Sequence, residues 1–344
     1  MTLTPPITEE ELERRISAIP RTRLAHLPTP LEELPRLRRH LGGPRLMVKR
    51  DDLTGVAFGG NKVRNLEFRM AEATAAGADT VIMSVDILSN SARQTAAAAI
   101  RLGMAPVLVL KGMAPETVTG NLLVDRLLGA EIHHAASSEE QGQVADRVAA
   151  RCMAEGKTPF ILDRSPTFTF SAACAYALAT IELLRQLREH GVEERPHLYI
   201  SSSGKGQAGV ELAVRALGLD ARVTGSSVKP MQGRGPAEVA RLTTEAARGL
   251  EIELEVAPGD VDNRDRYVGR GYGIPSPAGD EALRLAAECE GLLLDPVYTA
   301  KAFAALVDDV RERRLGDDEV AVFVHTGGLP LIFQHAGHLA GGRG

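Results

Sequence analysis

The chain has 344 residues, of which 44% are hydrophobic and 25% charged, and its formal net charge is −5. This length and composition suit a globular protein with a large core in one or two domains, and the negative charge argues against a general nucleic-acid surface. The three cysteines, Cys152, Cys174 and Cys289, lie far apart and show neither metal-ligand spacing nor a disulfide framework. We therefore expect no metal site and no nucleic-acid partner.

The N-terminal stretch MTLTPPITEEELERR is acidic and polar, without the charged and then apolar pattern of a signal peptide. No apolar run of the chain is long enough to span a bilayer. The sequence therefore predicts no membrane partner, and the three cysteines without a disulfide framework predict a protein of the reducing cytoplasm.

From about Leu46 onward, short apolar runs alternate with longer amphipathic segments. Apolar, β-branched runs separated by helix-length segments predict βαβ units and parallel sheets. His133 and His134 fall in an amphipathic run that we expect to be a solvated surface. The predicted strands are, in chain order, Thr80–Ser84, Pro106–Leu110, Thr158–Leu162, His197–Ser201, Ala221–Gly225 and Glu319–Val324.

The grouping of these units predicts an α/β protein with two open parallel-sheet domains. We expect residues 63–162 to form the smaller domain, and residues 1–62 and 163–344 to form the larger one. Ligands of such sheets bind beyond the carboxyl ends of the strands. The active site is therefore expected in the cleft between the two domains.

The first candidate motif is Gly59-Gly60-Asn61-Lys62. The glycine pair allows a tight bend and leaves room beside the backbone, and Asn61 is a plausible helix cap. Lys62 would then project from the first turn of a helix, where a lysine that forms a Schiff base with a carbonyl cofactor would need to be. A tight turn with a solvated lysine explains the same four residues.

Two further motifs follow predicted strands. The stretch SSSGKGQAG, Ser201–Gly209, lies between a strand and a helical run, an arrangement that directs backbone N–H groups at a phosphate, although a flexible turn is the alternative. Ser89 and Asn90 precede the helical run ARQTAAAA. Helix capping explains them, and so would contact with a ligand carboxylate.

The C-terminal half contains two tyrosines in loop-like surroundings and a third strand-end motif. Tyr272 lies between glycines in GYGIP, and Tyr298 follows Asp295-Pro296 in LDPVY. Such tyrosines either pack or approach a substrate. The stretch FVHTGGLP, Phe323–Pro330, places two glycines after a strand.

In their order and spacing, these motifs resemble the pyridoxal-phosphate enzymes of the tryptophan-synthase-β-like fold, known as fold type II. More narrowly, they are similar to the branch that contains D-cysteine desulfhydrase and 1-aminocyclopropane-1-carboxylate (ACC) deaminase. The resemblance extends from PTPLEELPRL, Pro28–Leu37, to HTGGLP. It implies a pyridoxal 5′-phosphate cofactor, an amino acid substrate and a homodimer.

The resemblance also assigns roles to residues of this chain. Lys62 would bind the cofactor as a Schiff base and move the substrate Cα proton. Asn90 would hydrogen-bond the ring hydroxyl of the cofactor. Ser89, Asn90 and Ser91 would surround the substrate carboxylate, and Tyr272 and Tyr298 would flank the substrate. The phosphate would be held by Ser203, Gly204, Lys205, Gly206 and Gln207.

One position separates the two activities of this branch. ACC deaminases carry a glutamate after the tyrosine of the DPVY motif, where a carboxylate keeps the pyridine nitrogen protonated and makes the ring a strong electron sink. This chain has Thr299, as the desulfhydrase-like members do. A hydroxyl supports a weaker sink. Thr299 therefore favours β-elimination over the opening of a cyclopropane ring.

The chain also departs from the family pattern in three places. In Val85–Ser91 the usual glycine pair is lost and Asp86 appears. Leu88 stands where Gln is usual and Ser91 where desulfhydrases commonly carry His, while Ser89 and Asn90 are retained. Asp86 would either select a cationic substrate side chain or face solvent. Asn65 stands where a second lysine is usual, and the phosphate loop has gained Lys205. We expect that the cation has moved to the other side of the phosphate.

The sequence thus predicts a D-cysteine desulfhydrase-like lyase that releases pyruvate, ammonia and a leaving group such as sulfide. ACC deaminase, a pyridoxal-phosphate dependent β-replacement enzyme of specialised metabolism, and a non-catalytic protein that binds an amino acid or cofactor are the alternatives.

Overall fold

The computed structural model describes residues 6–165, 167–316 and 318–341. The chain forms two compact units. The first unit contains the residues up to Ile19, Leu27–Leu53 and Ala172–Leu329. The second unit contains Pro20–His26, Thr54–Ser171 and the residues from Pro330 onward.

The units begin and end at residues other than the predicted 62 and 163. Lys62 and the loop before it belong to the second unit, where Val56 packs in the apolar cluster that contains Leu66 and Met70. The C-terminal residues from Pro330 also belong to this unit. The C-terminal residues and Pro20–His26 are separate from residues 63–162 in sequence, and only tertiary contacts reveal that they belong to this unit.

The first unit is built on a sheet with the strand order β1-β2-β10-β7-β8-β9. Only β1 is antiparallel to its neighbour among these described strands. The strands of this sheet are β1 Leu31–Glu33, β2 Arg45–Lys49, β7 Arg195–Ser202, β8 Arg222–Ser227, β9 Asp262–Arg264 and β10 Glu319–Val324.

Alternation along β10 shows how this sheet is buried on both faces. Val320, Val322 and Val324 contribute to the apolar cluster on one face. Ala321 and Phe323 contribute to the cluster on the other face, where Phe323 meets Phe303 edge to face at 4.8 Å. The helices of this unit are α1 Glu9–Ser17, α2 Pro35–Leu41, α7 Phe170–Glu189, α8 Lys205–Ala216, α9 Gly235–Gly249, α10 Pro277–Glu290 and α11 Thr299–Arg311.

The second unit has a parallel sheet with the strand order β5-β4-β3-β6. Its strands are β3 Thr80–Asp86, β4 Ala105–Lys111, β5 Glu131–Ala135 and β6 Pro159–Ile161. Its helices are α3 Lys62–Ala75, α4 Asn90–Arg101, α5 Gly120–Leu127, α6 Ser138–Ala154, α12 Pro330–Gln334 and α13 Ala336–Gly341. Val81 and Met83 pack in one apolar cluster, and Ile82 packs in another.

His133 and His134 lie in the edge strand β5 and are partly exposed, in keeping with the expected solvated surface. His133 Nε2 lies 2.6 Å from Glu131 Oε1, and His134 Nδ1 lies 3.1 Å from Gly112 O. An edge strand tolerates such polar residues because one side of it faces water.

Candidate active site

The loop before Lys62 has an unusual backbone that its neighbours hold in place. Ala57, Phe58, Gly59 and Gly60 all have positive φ, from 43° to 119°. Such angles are strained for the first two residues and easy for the glycines. Lys62 is the first residue of α3, as the sequence predicts, so this bent loop determines where its side chain starts.

The predicted cap at Asn61 is wrong. Asn61 has helical dihedrals, φ −57° and ψ −26°, and its side chain makes no capping hydrogen bond. Its Oδ1 instead accepts a hydrogen bond from Lys62 Nζ at 3.3 Å. The cap of α3 comes from α4, where Gln94 Oε1 accepts a hydrogen bond from Val63 N at 2.9 Å.

Lys62 lies in an electrostatic environment that favours its neutral amine. Burial, and secondarily the charge of Arg69, lower the pKa of Lys62 to about 8. Arg69 lies seven residues further along α3, on the same face of the helix. It is itself buried, stacks 3.9 Å from the Phe168 ring and donates to Ser171 Oγ at 3.1 Å. Arg69 is therefore a fixed positive charge, and the sequence reasoning missed it.

The SN motif begins α4, and much of its hydrogen-bonding capacity is used locally. Ser89 is the N-cap, and its Oγ accepts a hydrogen bond from Ser91 N at 3.2 Å. Asp86 is the last residue of β3, and its Oδ1 accepts from Leu88 N at 3.1 Å. The Asp86 carboxylate thus stabilises the turn that presents Ser89 and Asn90. The Ser89 hydroxyl keeps its proton available to a ligand.

Asn90 is joined to a buried group that the sequence reasoning missed. Arg93 and Asn121 both donate to Asn90 Oδ1, at 3.3 and 3.0 Å. Arg93 also donates to Gly59 O at 3.3 Å, so it links the start of α4 to the loop before Lys62. An arginine inside the alanine-rich stretch ARQTAAAA was the signal that could have identified it.

In the first unit, Ser203 and Gly204 connect β7 to α8. Gly204 has φ 102°, and Lys205, Gly206 and Gln207 form the first turn of α8. The first N–H groups of a helix have no partner within the helix and suit an anion. The Gln207 side chain is turned elsewhere, because its Nε2 donates to Asp262 O at 2.9 Å. Gln207 therefore offers a ligand its backbone alone.

Thr299 begins α11 and is bound to Asp295. Its Oγ1 donates to Asp295 Oδ1 at 2.7 Å and accepts from Asp295 N at 2.8 Å. Burial raises the pKa of Asp295, although its carboxylate also accepts from Val297 N and Tyr298 N. Gly328 leaves room for this carboxylate, because an added Cβ there would lie 2.3 Å from Asp295 Oδ1.

The two candidate tyrosines of the first unit meet. The hydroxyl groups of Tyr272 and Tyr298 are hydrogen-bonded, and the two rings are 5.9 Å apart, edge to face. The buried Lys301 donates to Val268 O at 2.8 Å and to Gly271 O at 3.1 Å. Lys301 therefore holds the loop that carries Tyr272, another contribution that the sequence did not reveal.

His325 follows β10 and is fully engaged. Its Nδ1 accepts from Gly327 N at 3.2 Å, and its Nε2 faces Leu293 O at 2.8 Å. These contacts place the ring proton on Nε2, because a carbonyl oxygen can only accept. His325 is a packed strand-end residue, in keeping with its buried side chain.

The structure thus gathers the predicted residues into two sets. Lys62, Asp86 and Ser89–Ser91 belong to the second unit, and the remaining residues belong to the first. No group of three or more His, Cys, Asp and Glu in the described ranges is arranged to hold a metal ion. None of the helices that the structure describes has the length and apolar character needed to cross a membrane.

Known proteins similar to this chain identify its family. Residues 22–327 match the family described as pyridoxal-phosphate dependent enzymes. D-cysteine desulfhydrase of Klebsiella pneumoniae (strain 342) is 36% identical over 331 residues, which cover 95% of this chain and 99% of that protein. D-cysteine desulfhydrase of Salmonella typhi is 35% identical over 330 residues, covering 94% and 98%. The chain belongs to the pyridoxal-phosphate dependent enzymes.

Solved structures similar to this chain are consistent with this family. A crystal structure of an ACC deaminase homologue has a TM-score of 0.85 and 32% identity, covering 97% of this chain and 99% of that one. Escherichia coli diaminopropionate ammonia lyase in its apo form has a TM-score of 0.69 at 16% identity, covering 98% and 92%, which is a likeness of fold alone. The predicted fold type and the predicted relation to the D-cysteine desulfhydrase and ACC deaminase branch are confirmed.

The residues present fit pyridoxal 5′-phosphate, the cofactor of this family. An aldehyde reacts with a neutral amine, and the pKa of Lys62 is lowered to about 8. A phosphate suits the first turn of α8, which contains Gly206 and follows Gly204. A ring oxygen suits the Asn90 Nδ2 group, which has no hydrogen-bond partner within the described part of the chain.

Proposed function

We propose that this protein is a pyridoxal-phosphate dependent lyase that carries out β-elimination on a β-substituted alanine, with D-cysteine as the nearest named substrate. The products would be pyruvate, ammonia and the leaving group, which is sulfide for cysteine. The observation that carries the proposal is the end-to-end similarity to D-cysteine desulfhydrases, at 36% identity over 95% of the chain.

We propose that both sets of residues serve one cofactor. When bound, pyridoxal phosphate supplies an electron sink for the charge that develops at the substrate Cα. Lys62 would attach it and, once freed, would take the Cα proton on Nζ. The backbone N–H groups of residues 203–207 would hold the phosphate, with Lys205 adding a positive charge. Asn90 Nδ2 would donate to the ring oxygen.

Substrate binding falls to the start of α4. The Ser89 hydroxyl and the first N–H groups of this helix, including those of Asn90 and Ser91, suit an α-carboxylate. Asp86 retains Oδ2 for a ligand, because its Oδ1 accepts from Leu88 N. We propose that this oxygen favours a substrate with a cationic or hydrogen-bond-donating side chain. Tyr272 and Tyr298 would orient the leaving group and donate a proton to it from a phenol.

Thr299 favours elimination over ring opening. Its hydroxyl proton is directed at Asp295, so the oxygen could only accept from a protonated ring nitrogen, and it brings no negative charge that would keep that nitrogen protonated. A weak sink suits a reaction in which the leaving group departs as the proton is removed. ACC deaminase remains the second candidate, because the alignment with the solved ACC deaminase homologue covers 99% of that homologue at a TM-score of 0.85. A β-replacement reaction needs the same residues.

We further propose a cytoplasmic homodimer. The support is family analogy and, for the cytoplasm, three cysteines without disulfide spacing. Light scattering on a size-exclusion column tests the dimer, and a mass near that of one chain, 36.7 kDa, would contradict it.

The experiment that tests the function is mass-spectrometric identification of the keto acid released from a panel of substrates. The panel contains D-cysteine, L-cysteine, other β-substituted alanines, including one with a cationic side chain, and ACC. Pyruvate from a cysteine or an analogue is the expected result. 2-Oxobutanoate from ACC would overturn the Thr299 argument. Lys62→Ala serves as the inactive control.

A further inference from the structure

Arg93 is a fully buried cation in α4 that makes three separate hydrogen bonds. Its Nε donates to Asn121 Oδ1 at 2.9 Å, one terminal nitrogen donates to Gly59 O at 3.3 Å, and the other donates to Asn90 Oδ1 at 3.3 Å. These acceptors come from α5, from the loop before Lys62 and from the first residue of α4. A rigid guanidinium fork thus ties three segments of the second unit together.

Arg93 determines which way two neighbouring carboxamides face. An arginine can only donate, so the atoms of Asn90 and Asn121 that face it must be carbonyl oxygens. Asn121 Nδ2 then donates to Leu88 O at 3.1 Å and to Asn90 Oδ1 at 3.0 Å. Arg93 and Asn121 thus both donate to Asn90 Oδ1. If the Asn90 carboxamide were flipped, its Nδ2 group would face the N–H groups of these two donors.

This orientation of the carboxamide determines the direction of the Asn90 Nδ2 group. With Oδ1 accepting twice, Nδ2 is the group turned away from Arg93 and Asn121. Asn90 is partly exposed, and its Nδ2 has no hydrogen-bond partner in the described ranges. The residue therefore presents a donor of fixed direction, which matches an anionic oxygen on a ligand.

The charge of Arg93 has a buried counterpart in α5. Asp125 is fully buried, interacts electrostatically with Arg93, and neither of its oxygens has a hydrogen-bond partner among the described residues. Asp125 therefore does not compete with the other acceptors for the guanidinium N–H groups. These remain directed at Asn90, Asn121 and Gly59.

We propose that Arg93 is a positioning residue of the active site, which orients the Asn90 carboxamide toward the cofactor and holds the loop before Lys62 through Gly59. This inference rests on the proposed role of Asn90. Arg93 acts through Asn90 and Gly59, and it touches neither cofactor nor substrate in this proposal.

The test uses three variants of the full chain. Arg93→Lys keeps the buried charge opposite Asp125 but cannot reach three acceptors. Arg93→Gln combined with Asp125→Asn removes both buried charges together, and Asn121→Ala removes the second donor to Asn90. Arg101→Gln, at the exposed end of the same helix, is the matched control. Thermal unfolding of each apoprotein shows whether it folds.

Two readouts need no substrate: the dissociation constant of pyridoxal phosphate in equilibrium dialysis, and the absorption band of the bound cofactor. Because a hydrogen bond to a charged group contributes a factor of about 10 to 100, we expect Arg93→Lys to weaken cofactor binding about 10-fold or more and to shift the band. Misplacement of a reacting group costs about 100-fold, so kcat should fall much more than KM changes. Arg101→Gln should match the wild type.

Folded Arg93→Lys and Asn121→Ala proteins with wild-type cofactor affinity and an unshifted band would overturn the inference. A merely structural role would lower the folded fraction without moving the band. If the wild type released no keto acid from any amino acid, the proposed function would fail, while the dialysis and the spectra would still decide the role of Arg93.

Discussion

The Thr299 hydroxyl donates to Asp295 Oδ1 at 2.7 Å while it accepts from the backbone N–H of the same residue at 2.8 Å. A single side chain thus satisfies both a buried carboxylate oxygen and a buried amide. Thr299 is a structural element of the LDPVYT segment, whatever its proposed role toward the cofactor.

Thr299→Val should therefore destabilise the protein even without cofactor. The change keeps the shape but leaves the buried Asp295 N–H without its side-chain acceptor and removes one of the two donors to Asp295 Oδ1, at a cost of about 1–3 kcal/mol. Thr299→Ser is the matched control, because it retains the hydroxyl and removes a methyl group. Urea unfolding of the apoproteins measures both, and equal midpoints for the two variants would contradict the assignment.

The pKa of Lys62, lowered to about 8 by burial and by Arg69, predicts a pH dependence of its reactivity. Only the neutral amine reacts with an aldehyde, so labelling of Lys62 in the apoprotein by formaldehyde and cyanoborohydride should rise with pH, with a midpoint near pH 8. Arg69→Leu should move this midpoint upward, because it removes a like charge. Lys157, whose pKa its hydrogen bond to Glu155 raises, should reach half-labelling at higher pH in the same peptide digest. Coincident midpoints for Lys62 and Lys157 would refute the prediction.

Lys205→Ala should weaken pyridoxal phosphate binding about 5- to 10-fold, which corresponds to about 1 kcal/mol of lost charge interaction. Asn65 stands where the family usually has a second lysine. It is buried on α3, and its Oδ1 has no hydrogen-bond partner among the described residues. Asn65→Lys, combined with Lys205→Ala, should restore the affinity by returning a cation to the other side. Lys229→Ala, an exposed change, is the control in equilibrium dialysis. Unchanged affinity in Lys205→Ala would end the proposal that the cation has moved.

Asp125→Asn should stabilise the protein increasingly as the pH rises. Burial raises the pKa of Asp125 from an ordinary 3.8 to about 7, so between these values the folded state binds a proton that the unfolded state has lost. The free energy of unfolding of the wild type therefore falls as the pH rises from about 4 to 7, and asparagine removes this loss. The gain above pH 7 should be about 2–4 kcal/mol in urea unfolding. The exposed Asp146→Asn should not show this pH-dependent gain, and a gain for Asp125→Asn that is equal at pH 4 and pH 8 would show that the proton is not involved.

The apolar strands of both sheets were predictable from the sequence because burial on two faces demands continuous runs of apolar residues. All six predicted strands occur, and Glu319–Val324 has the predicted bounds. Of the four described strands that were missed, Leu31–Glu33, Glu131–Ala135 and Asp262–Arg264 lie at sheet edges, where one neighbour is enough and polar residues are tolerated. Their pairing depends on a strand already in place rather than on their own composition. The fourth, Arg45–Lys49, lies between β1 and β10 and is framed by charged residues.

The sequence by itself determined the family, the cofactor and the lysine that begins α3. The order of the motifs along the chain can be read directly from the sequence, without knowing which residues are in contact. Only the tertiary structure decided how these residues are held. Gln94 caps α3 in place of Asn61, Arg93 ties α4 to Gly59, and Lys301 fixes the loop of Tyr272. In each case, a buried polar group must find a partner, and the partner is set by which elements pack together rather than by distance along the chain.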